Sequence, residues 1–402
     1  MGIYQDVFKH WNLDHVINAC GTKTGIGASR VRQPVIEAVD SILSEFVSID
    51  QLQARASQVI SRIIGTEAGC VTACSASALT TGVAATITGS DLAAIEKMPD
   101  CGTRQNRVAI QMGHMINYGA PIPQAIRLSG AELIPLGTAA MCEAYHLEEA
   151  LLAGLASAVY VVSHHTVREG ELPMDLFIET CHRHKTPVIV DMASEYDMKT
   201  PVELGADLVI YSGHKFMCGT TSGIAAGNRS LVQATYLQNR GIGRVMKVGK
   251  ESIVGALAAL ELWSEMDHTR QLHVEQKILD LWTERLKNQS GLSLSLHRDW
   301  TGNPITRLKL SVDPAEAALY AWELSGRLAG RKPAIIVRDD LAEKGCLFLD
   351  PCNLDRDEAQ LVADAVIEEL NKAKKELPDK RLTWSAVKRH RSLDPLKWPT
   401  DD

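Results

Sequence analysis

Seven short runs of aliphatic and β-branched residues, separated by longer helical segments, constrain the fold of this sequence most strongly. Such alternation is typical of an α/β domain with a buried, mostly parallel sheet. The segments between the runs, such as 76–87, 145–155 and 174–185, are long enough to be crossover helices. The predicted strands are residues 69–73, 107–111, 132–136, 157–162, 188–191, 208–213 and 223–227.

The pattern changes at the glycine-punctuated basic segment RGIGRVMKVGK, residues 240–250. One long helical pattern follows, from about 251 to 288. After it come a strand at 307–312, a helix at about 314–329, the short strands AIIVRD and GCLFLD, and a helix at about 355–374. We therefore expect a large domain over residues 1–250 with an N-terminal arm at 1–15, a linking helix and small α+β domain over 251–375, and a tail at 376–402 that packs on a surface.

Charge and cysteine usage narrow the range of partners and compartments. The 402 residues carry 42 Lys and Arg against 49 Asp and Glu, a net charge of −7, which argues against a nucleic-acid partner. The nine cysteines form no C-x-x-C pair, the first residues lack the apolar core of a secretory signal, and no run of 18 apolar residues exists. CHRH (181–184) has no second ligand pair at a metal-site spacing. We expect a cytoplasmic chain with no membrane span and no bound metal.

Two predicted strands end in residues that carry chemistry. Asp191 ends the run PVIVD, and Lys215 follows the run LVIYSG. The carboxyl ends of parallel strands face one crevice, so we expect the acid and the amine to meet there. Pyridoxal phosphate needs such a pair: the lysine forms a Schiff base with its aldehyde, and the carboxylate keeps its ring nitrogen protonated. Either residue alone is also compatible with an ordinary strand-end charge, and only the pair indicates the cofactor.

A small-residue helix start supplies a candidate site for the cofactor phosphate. In TACSASALTTG, Ser75, Ala76 and Ser77 allow close backbone approach at the start of a predicted helix. Any serine-rich helix start would look similar. Ser212 and His214, which flank the lysine in SGHK, are further phosphate candidates, with a turn serine and a surface histidine as the alternative.

The sequence resembles the fold-type-I pyridoxal phosphate enzymes, and within them the branch of bacterial selenocysteine synthase and D-glucosaminate-6-phosphate ammonia-lyase. The resemblance covers roughly residues 14–372. Its order and spacing are far more specific than any one motif. It is carried by VINACGTKTGIGAS (16–29), IIGTEAGCVTACSASAL (63–79), PVIVDMASEYD (187–197), SGHKFMCGTTSG (212–223), RVMKVGKE (244–251) and KPAIIVRDD (332–340).

The resemblance assigns roles to individual residues. It makes Lys215 the Schiff-base lysine, Asp191 the partner of the ring nitrogen, and Ser75, Ala76 and Ser77 the phosphate cup. His114 lies in the region where such enzymes stack a flat side chain on the cofactor ring, although an arginine or aromatic residue is more familiar there and a structural loop histidine is the alternative. The small Ala193 would pack against the opposite ring face.

Several basic residues are candidates for the substrate. Arg338, in the segment that matches the family's PAIIVR motif, is the first candidate for a bidentate grip on a carboxylate. Arg30, Arg55 and the basic residues of the 240–250 segment are candidates for a phosphate or a second carboxylate, with a solvated basic face as the alternative. His165, at the end of the fourth predicted strand with His164, is a candidate proton shuttle.

By family analogy the resemblance implies a pyridoxal phosphate-dependent lyase, which catalyses α,β-elimination on a small amino acid or amino-sugar acid and assembles as a homodimer or larger oligomer. Racemisation, aldol cleavage and β-replacement stay open, because the same chemistry leads to each. A selenocysteine-synthase-like transferase acting on charged tRNA is disfavoured, since the net charge is −7 and the resemblance begins at about Val16, without room for a tRNA-gripping module. A non-catalytic scaffold is disfavoured because Lys215 and Asp191 are both present.

Overall fold

A computed structural model of the chain describes residues 6–376 and 382–398. Its strands are β1 (Val16–Ala19), β2 (Ala68–Thr72), β3 (Arg107–Gln111), β4 (Glu132–Leu136), β5 (Ser157–Val161), β6 (Val188–Asp191), β7 (Leu208–Ser212), β8 (Gly223–Gly227), β9 (Leu292–Arg298), β10 (Thr306–Val312), β11 (Ala334–Val337) and β12 (Cys346–Leu349).

Helices occupy most of the chain between the strands. They are α1 (Val7–His10), α2 (Gln33–Leu43), α3 (Ile49–Ile64), α4 (Ser75–Thr88), α5 (Leu92–Lys97), α6 (Ile122–Arg127), α7 (Ala144–Leu152), α8 (Met174–Arg183), α9 (Thr200–Glu203), α10 (Arg229–Leu237), α11 (Lys250–Glu265), α12 (His268–Leu286), α13 (Pro314–Ala317), α14 (Ala321–Ala329), α15 (Arg356–Lys375) and α16 (Trp384–Leu393). Within the described ranges no helix is long and apolar enough to cross a membrane.

The seven predicted strands form one seven-stranded sheet in the order β2-β8-β7-β6-β5-β3-β4. Only β8 runs antiparallel to its neighbours, β2 and β7. The strands are short, nearly continuous apolar runs because both faces of the sheet are covered, and β5, β7 and β8 are buried along their whole length. The predicted fold class, a mostly parallel α/β sheet of the fold-type-I kind, is confirmed.

The described residues divide into two compact units. One unit spans Ser29–Met266, and the other combines residues up to Ala28 with residues from Asp267 onward. The division differs from the predicted one at both ends of the large domain. The first residues join the C-terminal unit because β1 pairs in parallel with β11. Helix α11 stays with the large unit because its apolar residues enter the same core cluster as α3.

The predicted single helix at 251–288 is two helices. The residue Met266 is extended, with a ψ of 139°, and ends α11. Asp267 then starts α12 by accepting a hydrogen bond from the backbone N–H of Arg270, which is ordinary N-capping by an aspartate. Residues 267–271, DHTRQ, are all polar, so the sequence does mark this break although the predicted helix ran through it.

The second unit contains elements that the sequence pattern missed. Strand β9 pairs antiparallel with β10, which also pairs with β12. The predicted helix at 314–329 is split into α13 and α14 by Ala318, whose φ is +58°. In the tail, helix α16 places Trp384 5.7 Å from Trp322, measured between ring centroids. The remaining tail residues, 377–381 and 399–402, lie outside the described part.

Candidate active site

Strand order brings three functional segments to one edge of the large sheet. Strand β6 ends at Asp191, and β7, its neighbour, leads into the loop that carries Lys215. Because β8 runs antiparallel, its first residue lies beside the last residues of both β7 and β2. Helix α4 starts just after β2, so its N-terminus opens at the same edge as the aspartate and the lysine.

The segments after β2 and at the start of β8 approach each other closely at Gly223. A Cβ atom at this position would lie 2.3 Å from the carbonyl oxygen of Cys74. Only glycine fits there without moving the backbone. The residue therefore allows the turn into α4 to lie against the strand that separates it from the Lys215 loop.

Asp191 and Lys215 influence each other's protonation. Burial raises the pKa of Asp191 to about 6, while the positive charge of Lys215 and a hydrogen bond from the Ala193 N–H oppose that rise. Burial also lowers the pKa of Lys215, and the carboxylates of Asp191 and Glu195 oppose that change. The site thus holds an acid and an amine in a poorly solvated crevice, where neither charge is fully compensated.

A serine that the sequence reasoning missed holds the lysine. The Nζ of Lys215 donates a hydrogen bond of 2.5 Å to the Oγ of Ser194. Ser194 follows Asp191 by three residues, in the same PVIVDMASEYD segment, so the motif contained it. Its spacing from Lys215 gave no sign of the contact, because the two residues lie on separate loops.

The loop that carries Lys215 is held by the segment just before α2. The Ser29 hydroxyl donates a hydrogen bond of 2.7 Å to the carbonyl of His214, and the Arg32 N–H donates to the carbonyl of Cys218. Cys218 itself has a φ of +55°, which is unusual for a residue other than glycine. Arg30 lies between these two contacts on an exposed stretch of chain.

Helix α4 offers free backbone donors at its N-terminus. Cys74 caps the helix, with its sulfur accepting from the Ser77 N–H and the Ser77 hydroxyl accepting from the Cys74 N–H. The N–H groups of Ser75 and Ala76 lie in the first turn, where intrahelical partners do not exist. The predicted cup is therefore positioned to bind an anion through these two residues. Ser77 is buried and its hydroxyl is committed to the cap.

His214 presents a buried nitrogen without a partner. Its Nδ1 lies 3.1 Å from the Ser212 hydroxyl, while its buried Nε2 has no hydrogen-bond partner among the described residues. Burial, aided by the charge of Lys215, lowers the pKa of His214 to about 4, so the ring is neutral near pH 7. When Nδ1 accepts from the Ser212 hydroxyl, Nε2 carries the proton and is a buried donor that requires an acceptor, and a phosphate oxygen is a suitable one.

His114 does not have the surroundings expected of a cofactor-stacking residue. The ring has no accessible surface, its Nδ1 accepts from the Val161 N–H, and its Nε2 lies 3.0 Å from a Glu171 carboxylate oxygen. Its nearest ring neighbour is Tyr160, edge to face at 4.5 Å. Stacking on a cofactor would require the ring to leave this burial. The structure therefore argues against the predicted stacking role and for a structural one.

The segment around His114 contains a more accessible ring. Tyr118 is 40% exposed. Burial of its hydroxyl raises the pKa of Tyr118, and the negative charges of Asp191 and Cys74 raise it further, so the hydroxyl lies within electrostatic range of both residues. Tyr118 was not among the residues predicted from the sequence, although an aromatic residue is the familiar ring-stacking choice.

The other predicted polar residues lie on loops and exposed faces. His165 is exposed on the loop after β5, where its ring lies 3.8 Å from that of His164. Strand β5 neighbours β6, so this loop follows the strand end next to Asp191. Arg55 lies on the exposed side of α3 and donates to Gln58. Ala193 is half-buried beside Asp191.

Arg338 belongs to the second compact unit. It follows β11, and its backbone pairs with Phe348 through two hydrogen bonds. Its side chain is only 13% exposed, and its Nε donates a 2.8 Å hydrogen bond to Asp340. The guanidinium is thus held in a defined orientation. Across the described ranges, no group of three or more His, Cys, Asp or Glu side chains is arranged to hold a metal ion.

Comparisons with known proteins agree with this geometry. The fold and the site define an enzyme of the fold-type-I class, whose members use pyridoxal phosphate. An aspartate aminotransferase from Thermotoga maritima shares the fold, with a TM-score of 0.53 at 15% identity. The match covers 91% of this chain and 94% of that one. The chain is 35% identical to D-glucosaminate-6-phosphate ammonia lyase of Salmonella typhimurium over 89% of its length and 96% of the relative's. It belongs to the family of that enzyme.

Two further relatives show the breadth of the family. A 5'-C-glycyluridine monooxygenase-decarboxylase from Streptomyces sp is 33% identical over 87% of this chain and 88% of its own length. The SelA (L-seryl-tRNA selenium transferase) family model matches residues 187–318, and the L-seryl-tRNA(Sec) selenium transferase of Aquifex aeolicus is 24% identical over 81% of this chain and 78% of its own. The resemblance found in the sequence is confirmed, with the selenium transferases as the more distant branch.

A solved structure matches nearly the whole chain. The structure of D-glucosaminate-6-phosphate ammonia-lyase superposes with a TM-score of 0.84 at 34% identity, covering 92% of this chain and all of that one. The likeness therefore extends to both compact units of the chain and not only to the large sheet.

Proposed function

We propose that this protein binds pyridoxal 5'-phosphate through Lys215 and catalyses elimination of ammonia from an amino-sugar acid. The observation that carries the proposal is the Asp191–Lys215 pair at neighbouring strand ends, each with a pKa displaced by burial. The 35% identity to an ammonia lyase over 89% of the chain supports the reaction type.

The residues present fit this cofactor. The first-turn N–H groups of Ser75 and Ala76 and the unpartnered Nε2 of His214 suit a phosphate. The carboxylate of Asp191 suits a protonated ring nitrogen, since its buried charge lacks full compensation. Tyr118 is proposed to lie on one cofactor face and Ala193 on the other. When bound, the cofactor supplies an electron sink for the substrate carbanion.

The remaining work falls to side chains of this protein. The Lys215 amine, with a lowered pKa, is suited to take up the proton that leaves the substrate Cα. Arg338 is proposed to grip the substrate carboxylate and so to decide which Cα bond breaks. Arg30, Arg55 and His165 remain proposed contacts for the other polar groups of an amino-sugar acid.

We also propose a homo-oligomeric, cytoplasmic enzyme with a small-molecule substrate and no nucleic-acid partner. Phe46 is fully exposed and Val245 is 86% exposed, and a second copy of the chain packed on these side chains would remove their apolar surface from water. The basic segment 240–250 is not wholly without partners in its own chain, because Lys250 donates to the carbonyls of Leu43 and Glu45. All nine cysteines are free, which suits a reducing compartment.

A product assay tests the proposal. Purified protein loaded with pyridoxal phosphate is incubated with D-glucosaminate, its 6-phosphate and a set of β-hydroxy amino acids, while ammonia, keto acids, CO₂ and O₂ are measured. Ammonia and keto acid without O₂ uptake support the lyase. O₂ uptake with CO₂ release would instead favour oxidative decarboxylation, the second candidate, which the 33% identical relative supports. No product from any substrate of these classes would contradict both.

A further inference from the structure

The strongest observation that the proposed function leaves unused is the hydrogen bond between the Lys215 amine and the Ser194 hydroxyl. At 2.5 Å it is short, and it joins two loops that follow different strands. The amine is buried, and the carboxylates of Asp191 and Glu195 act on its charge.

Ser194 is held in place from both sides. On one side, the Ala193 N–H donates to the Asp191 carboxylate. On the other, the ring of Tyr196 packs at 4.5 Å from Phe216 and at 4.7 Å from Trp263, measured between centroids. The hydroxyl is therefore a fixed point and not the end of a mobile loop, because the turn that carries it is anchored at each end.

We propose that Ser194 is a positioning residue that holds the Lys215 amine beside Asp191 whenever the amine is not bonded to the cofactor. A hydroxyl accepts a hydrogen bond from an ammonium and donates one to a neutral amine, so it serves both protonation states. The proposal rests on the proposed function for its catalytic consequence, but not for the contact itself. Without this contact, the amine would be free to turn away from the cofactor aldehyde and the substrate Cα proton with which it is proposed to react.

The charged and titratable groups around the amine come from two loops. Asp191 and Glu195 lie on the β6 side and favour the ammonium, while burial favours the neutral amine. His214 precedes the lysine on its own loop and is neutral near pH 7. Ser194 adds a hydrogen bond without adding a charge. Because a hydrogen bond from an ammonium is charge-assisted, it is stronger than the one that the neutral amine accepts, so removal of the hydroxyl should destabilise the ammonium more and shift the amine toward its neutral form.

The contact is tested on the full-length protein without cofactor. Brief pulses of acetic anhydride across a pH series label neutral amines, and mass spectrometry quantifies acetylation of the Lys215 peptide. In Ser194→Ala, labelling at neutral pH should rise about tenfold and its midpoint should move to lower pH. Ser194→Thr, which keeps a hydroxyl, should follow wild type, as should Ser129→Ala, which removes a buried hydroxyl that donates to the Ile126 carbonyl.

Thermal melts of each variant establish that the fold is kept. An unchanged midpoint in Ser194→Ala, or a Ser194→Thr variant that labels like alanine, overturns the proposal. In the holoenzyme, Ser194→Ala should lower kcat about tenfold with KM nearly unchanged and slow the return of the lysine-bound visible band after one turnover. If wild type takes up no pyridoxal phosphate, the proposed function fails, while the labelling experiment still decides the role of Ser194.

Discussion

Replacing Asp191 by asparagine should stabilise the cofactor-free protein and inactivate the holoenzyme. The substitution keeps the shape and an oxygen for the Ala193 N–H, but removes the charge. Burial raises the pKa of Asp191 to about 6 from the usual 3.8, and this difference corresponds to about 3 kcal/mol of unfolding free energy. That pKa already includes the attraction of Lys215, and Asp191 is partly exposed, so we expect a net gain of about 1–3 kcal/mol near pH 7.

The pH dependence has a defined sign. The folded protein binds the Asp191 proton more tightly than the unfolded chain does, so this residue's contribution to stability is present below about pH 4 and lost as pH rises through about 6. The advantage of Asp191→Asn should therefore be absent below about pH 4, grow between about pH 4 and 6, and be complete above about pH 6. Thermal melts of the cofactor-free proteins between pH 4 and pH 8 measure it.

The holoenzyme should respond in the opposite direction. A neutral amide does not hold the cofactor ring nitrogen protonated, and losing one partner of a buried charge pair costs about 2–5 kcal/mol. That corresponds to a fall in kcat of about 30- to 5000-fold, measured as ammonia release. Added pyridoxal phosphate should also raise the thermal midpoint of Asp191→Asn by less than it raises that of the wild type.

A neighbouring aspartate provides the control. Burial raises the pKa of Asp197, but hydrogen bonds from Thr200 and Lys199 outweigh it and hold the pKa below its usual range. Asp197→Asn should therefore destabilise the protein slightly at neutral pH and leave the visible band and kcat unchanged. The reasoning is refuted if cofactor-free Asp191→Asn is less stable than wild type at pH 7, or if its kcat lies within about threefold of wild type.

Three other predictions concern the proposed cofactor lysine, the proposed substrate arginine and the proposed oligomer. Lys215→Ala should abolish both the borohydride-sensitive visible band and turnover; a band that persists would move the cofactor lysine elsewhere. Arg338→Lys keeps the charge but loses the planar fork, so kcat/KM should fall about 30- to 1000-fold, and unchanged constants would redirect attention to Arg30 and Arg55. Sedimentation should show at least a dimer, and Phe46→Glu should weaken it; a fully active monomer at working concentration would contradict the oligomer.

Much of the large unit was readable from the sequence because its signals are local. A strand covered on both faces must be a short apolar run, and all seven such runs became strands. The helix break at Met266 and strand β9 were missed although the sequence carries a local sign of each. Residues 267–271, DHTRQ, are all polar and begin with an aspartate suited to cap a helix, and residues 292–296 alternate leucine and serine. The pairing of β1 with β11, which joins the first residues to the second unit, has no such local sign.

The candidate site shows the same distinction at the level of side chains. Asp191 and Lys215 each follow directly on an apolar run, which is a local pattern that the sequence shows. The geometry of parallel strands then brings the ends of such runs to one edge of the sheet. The burial of His114, the contact of Ser194 with the lysine amine and the unpartnered nitrogen of His214 were decided only by the tertiary structure. Each of these features depends on how separate loops pack against one another. A hydrogen bond is made or lost when the distance between donor and acceptor changes by less than an ångström, and the spacing of residues along the sequence does not determine distances that finely.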